Sequence, residues 1–349
     1  MDKKLIVSAS PHLHDNSTVP SIMWDVSIAL MPALIASVCF WGINALLLTC
    51  YGVIAAVVTE AMILYLRKKP IVIKDGSAVV TGILVSFNIH TGVPWWLPVI
   101  GSVFAIAIGK QAFGGLGQNI FNPALLGRAF LMLSWPSYMT GGFQATDMGS
   151  MNGINITLTE AFGTQITSAT PLQVASLVRD ASNNFSSVFT CLTDNHTLVN
   201  LFWGNHAGVI GEVSAFALII GGLYLLLKKV IEWRIPVFFI STVFVLTLLF
   251  GSIDSYINFN IRIAIFHLLS GGLLLGAFFM ATDMVTSPIT KKGRIIFAIG
   301  CGTLTVLIRL YGGYPEGVSF AILLMNLCVP LIDKFTIPIP FGQVKEVKQ

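Results

Sequence analysis

The sequence predicts an all-α integral membrane protein of about ten transmembrane helices, arranged as two inverted five-helix repeats. Three observations carry this reading. Hydrophobic residues make up 55% of the chain and charged residues 10%, with a mean hydropathy of +0.81, well outside the soluble range. Ten apolar runs are long enough to cross a bilayer. The basic residues fall on one side of those runs.

In chain order the runs are about 22–42, 44–65, 76–92, 95–113, 119–138, 210–227, 235–251, 263–284, 294–311 and 318–335. Glycines and polar residues interrupt the third and the eighth. With an inner N-terminus, the inner segments collect 16 of the 20 Lys and Arg, leaving Arg128, Arg179, Arg262 and Arg309. By the positive-inside rule both termini are then inside. The predicted divisions are an inner segment 1–21, a first repeat 22–139, an outer loop 140–197, a second repeat 198–336 and an inner tail 337–349.

Other features exclude whole classes. The net charge of +4 sits in inner loops, so it reports topology and does not point to nucleic acid. Five cysteines (Cys39, Cys50, Cys191, Cys301 and Cys328) include no C-x-x-C, which leaves no self-contained iron–sulfur site or disulfide framework. No short apolar region with a small-residue cleavage site precedes the first span.

The halves look related. Lys110 to Gly117 (Lys-Gln-Ala-Phe-Gly-Gly-x-Gly) precedes one span, and Arg309-Leu-Tyr-Gly-Gly with Gly317 precedes another. Upstream of each lies an interrupted span, Ser77 to Pro94 and Ser270 to Pro288. Five spans per copy is an odd number, so the second copy must run inverted, and paired broken helices then frame a cavity at the repeat interface. Glycines that merely let helices pack closely are the plainer alternative.

Intramembrane charges are functional candidates by default. Arg128 falls near the middle of span five and needs an anion, backbone carbonyls or water. Lys110 and Arg309 occupy corresponding span ends. With Asp283 they are candidates for an ion path, and snorkelling to the headgroups is the alternative for the two basic residues. His12 and His14 make at most half a metal site, and a lead-in at the inner surface accounts for them as well. His90 and His267 read as hydrogen-bonded structural residues, and Trp95 and Trp96 as part of an outer aromatic belt.

The outer loop carries Thr167-Ser-Ala-Thr170-Pro171-Leu172. This is close to the Ser/Thr-Gly-Ala-Thr signal whose last threonine is esterified to the phosphate of FMN, with Ser168 in place of glycine. Pro171 biases Thr170 to an extended conformation, which predicts a projecting, unshielded hydroxyl.

With these features assembled, the chain resembles the RnfD (RsxD) subunits of Rnf ion-translocating oxidoreductase complexes. The NqrB subunit of sodium-pumping NADH:quinone oxidoreductases is next. The shared features are Ser10-Pro11-His12-x-His14, Asp75-Gly76-Ser77, Gly114-Gly115, Asn122-Pro123-Ala124 and Ala169-Thr170-Pro171-Leu172, and a lead-in of about 20 residues favours RnfD. The resemblance implies two inverted five-helix repeats in a bacterial inner membrane. It also implies covalent FMN on Thr170, relaying electrons between ferredoxin and NAD⁺ with movement of Na⁺ or H⁺; Arg128, by its mid-span position, is the candidate to support that cofactor or the coupled ion path. A second, non-covalent flavin such as riboflavin is left open. The implied partners are the other Rnf subunits, including iron–sulfur and second flavoprotein subunits, and a flavin transferase. A cofactor-free transporter has no use for the Thr170 loop, and a structural subunit leaves Arg128 unexplained.

Overall fold

The computed structural model describes residues 18–70, 73–141, 170–180, 194–251, 260–312 and 316–338. His12, His14, Ser168, Cys191 and most of the loop 142–193 lie outside these. The described residues are helical, with no strand among them.

Fourteen helical segments are described. They are α1 (Val19–Trp41), α2 (Ile43–Leu66), α3 (Ser77–Phe87), α4 (Trp96–Gln111), α5 (Pro123–Ser134), α6 (Pro136–Thr140) and α7 (Pro171–Asp180). Then follow α8 (Asn195–Trp203), α9 (Ala215–Leu227), α10 (Arg234–Phe250), α11 (Ile261–Leu269), α12 (Leu273–Met280), α13 (Lys291–Tyr311) and α14 (Val318–Thr336). Local sequence sets many of the starts. Thr18, Asn122, Ser214, Asn260 and Thr290 each accept a backbone N–H of the first turn, satisfying donors that have no partner within the helix.

Every one of the ten apolar runs contains a helix, but the lengths are uneven. Among the described residues, α1, α2, α13 and α14 are long and apolar enough to cross a membrane as single helices. The two interrupted runs are where helix is lost. Span three stops at Phe87, and Asn88 to Pro94 is not helical. Span eight breaks at Ser270 to Gly272, where α11 and α12 meet at 66°. The ends of α4 and α12 also loosen into π-helical turns, Ala105–Gln111 and Gly276–Met280, of the kind often found at functional sites.

The packing is close at small residues. A Cβ on Gly82 would lie 2.6 Å from Val53 Cα, so α3 can seat on α2 only with glycine there. A Cβ on Gly221 would overlap the Ala29 carbonyl, which fixes α9 against α1. Outward, Leu47, Tyr51, Ile54, Val58, Met62 and Tyr65 form an exposed apolar stripe along α2 at helical spacing. Such a stripe suits lipid and would be a liability in water.

Candidate functional site

The structure brings the charged residues of the interior into two buried clusters, one at each matched span end. The first is built on Lys110. Its ammonium is 2% exposed, pairs with Glu60 at 2.6 Å and donates to Ser77 Oγ at 2.6 Å. Gln111 donates to the same Glu60 oxygen at 3.0 Å. Lys110 therefore does not snorkel; it ties the end of α4 to α2 and to the first residue of α3.

The second cluster is built on Arg309, also buried. Its guanidinium donates to the carbonyls of His267 (2.5 Å), Ser270 (2.9 Å), Gly271 (3.1 Å) and Glu316 (3.1 Å). Two of these, Ser270 and Gly271, lie in the break between α11 and α12, and His267 is in the last turn of α11. Carbonyls freed where a helix stops are acceptors that need partners, and here one arginine supplies them. From the other side of the break, Glu212 Oε1 accepts the N–H of Gly271. Arg309 is thus also satisfied inside the protein. In each half the span-end cation grips the start or break of the interrupted span, at Ser77 or at Ser270.

Arg128 is 7% exposed and has two side-chain partners. It donates to Asn88 Oδ1 at 2.8 Å and forms an ion pair with Glu316. Asn88 lies just past α3 in the first half, and Glu316 precedes α14 in the second. The Glu316 carboxylate takes Arg128 while its backbone carbonyl takes Arg309, and both arginines act electrostatically on Glu212. Arg128, Arg309 and Glu212 are buried and Glu316 partly so, and the four form one cluster of two basic and two acidic side chains.

Leu172, two residues after Thr170, lies against the break. A Cβ on Gly271 would overlap Leu172, so the loop rests directly on the break, and Gly271 itself has φ +76. The hydroxyl is not unshielded. Thr170 is 3% exposed, and its Oγ1 accepts the Gln173 N–H at 3.3 Å while Gln173 Oε1 accepts the Thr170 N–H at 3.0 Å. Thr170-Pro171-Leu172-Gln173 is a capping box with proline at N1. Gln173 then donates to the Thr140 carbonyl at 2.9 Å, fastening α7 to the end of α6. The cap fixes the hydroxyl, which overturns the expectation that an extended Thr170 would present it to solvent.

Asp283 lies elsewhere. It is half-buried, accepts from Val285 N (3.4 Å) and Thr286 Oγ1 (3.2 Å), and lines a cavity between the helices. Lys110, Ser77, Asn119, Asn122 and Phe278 share that wall. Asn122 crosses the halves by donating to the Met280 carbonyl at 3.1 Å. Among the described residues no group of three or more His, Cys, Asp or Glu is placed to hold a metal ion. His90 is held between the Tyr138 carbonyl at 2.7 Å and the Gly92 N–H at 3.1 Å, a structural arrangement.

A family model, the NQR2, RnfD, RnfE family, matches residues 6–342, a stretch that includes every residue of this geometry. The chain belongs to this family. It is 48% identical over 347 residues to the D-type subunit of the Na⁺-translocating ferredoxin:NAD⁺ oxidoreductase complex of Acetobacterium woodii, covering 99% of this chain and 98% of the relative. It is also 48% identical over 337 residues to the D-type subunit of the proton-translocating ferredoxin:NAD⁺ oxidoreductase complex of Clostridium ljungdahlii, covering 96% of each. A third relative, the D-type subunit of the ion-translocating oxidoreductase complex of Stutzerimonas stutzeri, is 40% identical over 335 residues, covering 94% and 93%.

Glu316 and Glu212 are the site residues that sequence reasoning missed. Glu212 carried a readable signal, an acid at the start of an apolar run. Glu316 carried none, because only the fold brings it to Arg128.

Proposed function

We propose that the chain is the D-type membrane subunit of an ion-translocating ferredoxin:NAD⁺ oxidoreductase complex and carries FMN esterified to Thr170. The observation that carries this reading is the near full-length, 48% identity to two such D-type subunits, joined to the contact of Leu172, two residues after Thr170, with the break at Gly271. In this reading the ten helical runs cross the membrane with both termini in the cytoplasm, and the Thr170 loop faces out.

The residues beside Thr170 fit a tethered flavin. Arg128 Nε is buried without a hydrogen-bond partner among the described residues, and such an atom calls for a ligand or water. When bound, FMN supplies the electron-carrying chemistry, and the protein contributes position and electrostatics. Gln173 and Leu172 fix the attachment point to both halves of the chain. Arg309 and Glu212 hold the break on which Leu172 rests, and Arg128 places a cation within the same interior. Because Thr170 is buried, the flavin transferase must act before α7 docks. Electron donors and acceptors then come from partner subunits with iron–sulfur and flavin centres, since this chain has no cysteine set for a cluster.

The cavity that Asp283 lines offers a mostly apolar wall with a few polar groups, the character of a small-molecule site. It is the place for a second, non-covalent flavin, and Asp283 on its wall is the carboxylate available to a translocated Na⁺ or H⁺. Mass spectrometry of the purified complex tests the attachment: the peptide spanning Thr170 should carry FMN less one water. An unmodified peptide would refute it.

A further inference from the structure

The first turn of α7 closes over the hydroxyl at its own start. Thr170, Pro171, Leu172 and Val174 are buried, while Gln173, Ala175 and Ser176 are half-buried. Contacts with both halves of the chain hold that turn down. Leu172 packs on Gly271 at the break, and Gln173 donates to the Thr140 carbonyl at the end of α6. Within the turn, Gln173 Oε1 accepts the Thr170 N–H and the Gln173 N–H is donated to Thr170 Oγ1. One side chain therefore both caps the helix and ties it down.

A helix of ten residues is too short to persist alone in water, because nucleation is unfavourable and few hydrogen bonds follow it. The fold of α7 thus depends on its docking. The docking in turn depends on few residues, chiefly a leucine over a glycine and an amide on a carbonyl. Segments fixed in this way open locally at a fraction of the free energy of global unfolding. While α7 is docked, Thr170 is 3% exposed and its Oγ1 already holds an N–H, which closes it to a second protein. When α7 undocks, the capping box is lost with the helix and the same hydroxyl is free.

We propose that α7 is a latch on Thr170, shut by Gln173 and Leu172, and that its undocked state is the form a modifying enzyme meets, on first folding or on reopening. Gln173 and Leu172 are then positioning residues that set access to the hydroxyl. This rests on the Thr170–FMN reading and adds what governs the attachment.

The test uses the whole complex made in cells without the flavin transferase, and follows hydrogen exchange of the α7 amides by mass spectrometry. Gln173→Ala removes both the cap and the tie to Thr140, and Leu172→Ala removes the contact with Gly271. Each should speed exchange at residues 172 to 176 by about tenfold or more, the scale expected for lost hydrogen bonds or a truncated buried side chain. Gln173→Glu keeps an acceptor for the Thr170 N–H but has no donor for Thr140, so its exchange should fall between wild type and Gln173→Ala. Exchange in α13 and α14 should stay as in wild type, which separates the latch from a general loss of fold. Given the transferase and its flavin nucleotide, the variants should then load Thr170 faster than wild type, in the same order. Unchanged α7 exchange in all three variants would overturn the latch and leave the Thr170 reading intact. Faster exchange with equal or slower loading would overturn the control of access. A Thr170 that is loaded in neither wild type nor variants would overturn the Thr170 reading, and the role of the latch with it.

Discussion

Arg128 of the first half is ion-paired with Glu316 of the second, and the Glu316 backbone carbonyl is bound in turn by Arg309. One residue thus links the mid-span cation to the cation that holds the broken span. An unpaired guanidinium at mid-membrane costs several kcal/mol on insertion scales, and the pair removes that cost only while both members stay.

Replacing Arg128 by Met should therefore destabilise the protein by about 3–5 kcal/mol, since it strands a buried carboxylate. Arg128→Met with Glu316→Gln should recover most of that loss, because replacing a whole buried pair by neutral groups is often tolerated. Thermal unfolding of the detergent-solubilised complex measures both. Equal stability of the single and double variants would contradict the pairing.

The Lys110–Glu60 pair makes a parallel case in the first half. Lys110→Met should cost more than Lys110→Met combined with Glu60→Gln, with a coupling of roughly 0.5–3 kcal/mol as seen for residues in contact. A double-mutant cycle on unfolding free energy checks this. Strictly additive effects would mean that the two groups do not interact.

Gly271→Ala places a methyl where Leu172 packs, at a left-handed backbone position that costs about 1–2 kcal/mol for other residues. It should undock α7 and raise the rate of proteolytic cleavage within the loop 142–193. Leu172→Ala in the same background should restore part of the protection by making room. If Gly271→Ala leaves cleavage unchanged, the loop does not rest on the break.

Topology has its own test. A single cysteine at Asn184 should react with an impermeant maleimide from the outer face of intact cells, and one at Lys69 should not. The reverse pattern would move the Thr170 loop to the cytoplasmic side.

The helical segments were legible because each apolar run is long or closely bounded by glycine and polar residues. The weakness of spans three and eight was also readable: Gly76, Gly271 and Gly272 all take positive φ. The geometry of the break was not readable, because the 66° bend is held by Arg309 and Glu212 from distant parts of the chain. Arg128 was singled out by position alone, and its partner Glu316 was invisible, since pairing across the halves leaves no local pattern. Thr170 shows the converse. Its capping box with Gln173 is spelled out in four consecutive residues, yet a reading centred on Pro171 and the flavin signal gives an exposed hydroxyl where the fold has a bound one.

The central claim is the flavin on Thr170, and in-gel fluorescence of the denatured complex tests it most directly. The wild-type band of this chain should fluoresce under ultraviolet light. The Thr170→Ala band should be dark at equal protein and with the complex still assembled. A fluorescent Thr170→Ala band, or a dark wild-type band from flavin-replete cells, would contradict the account.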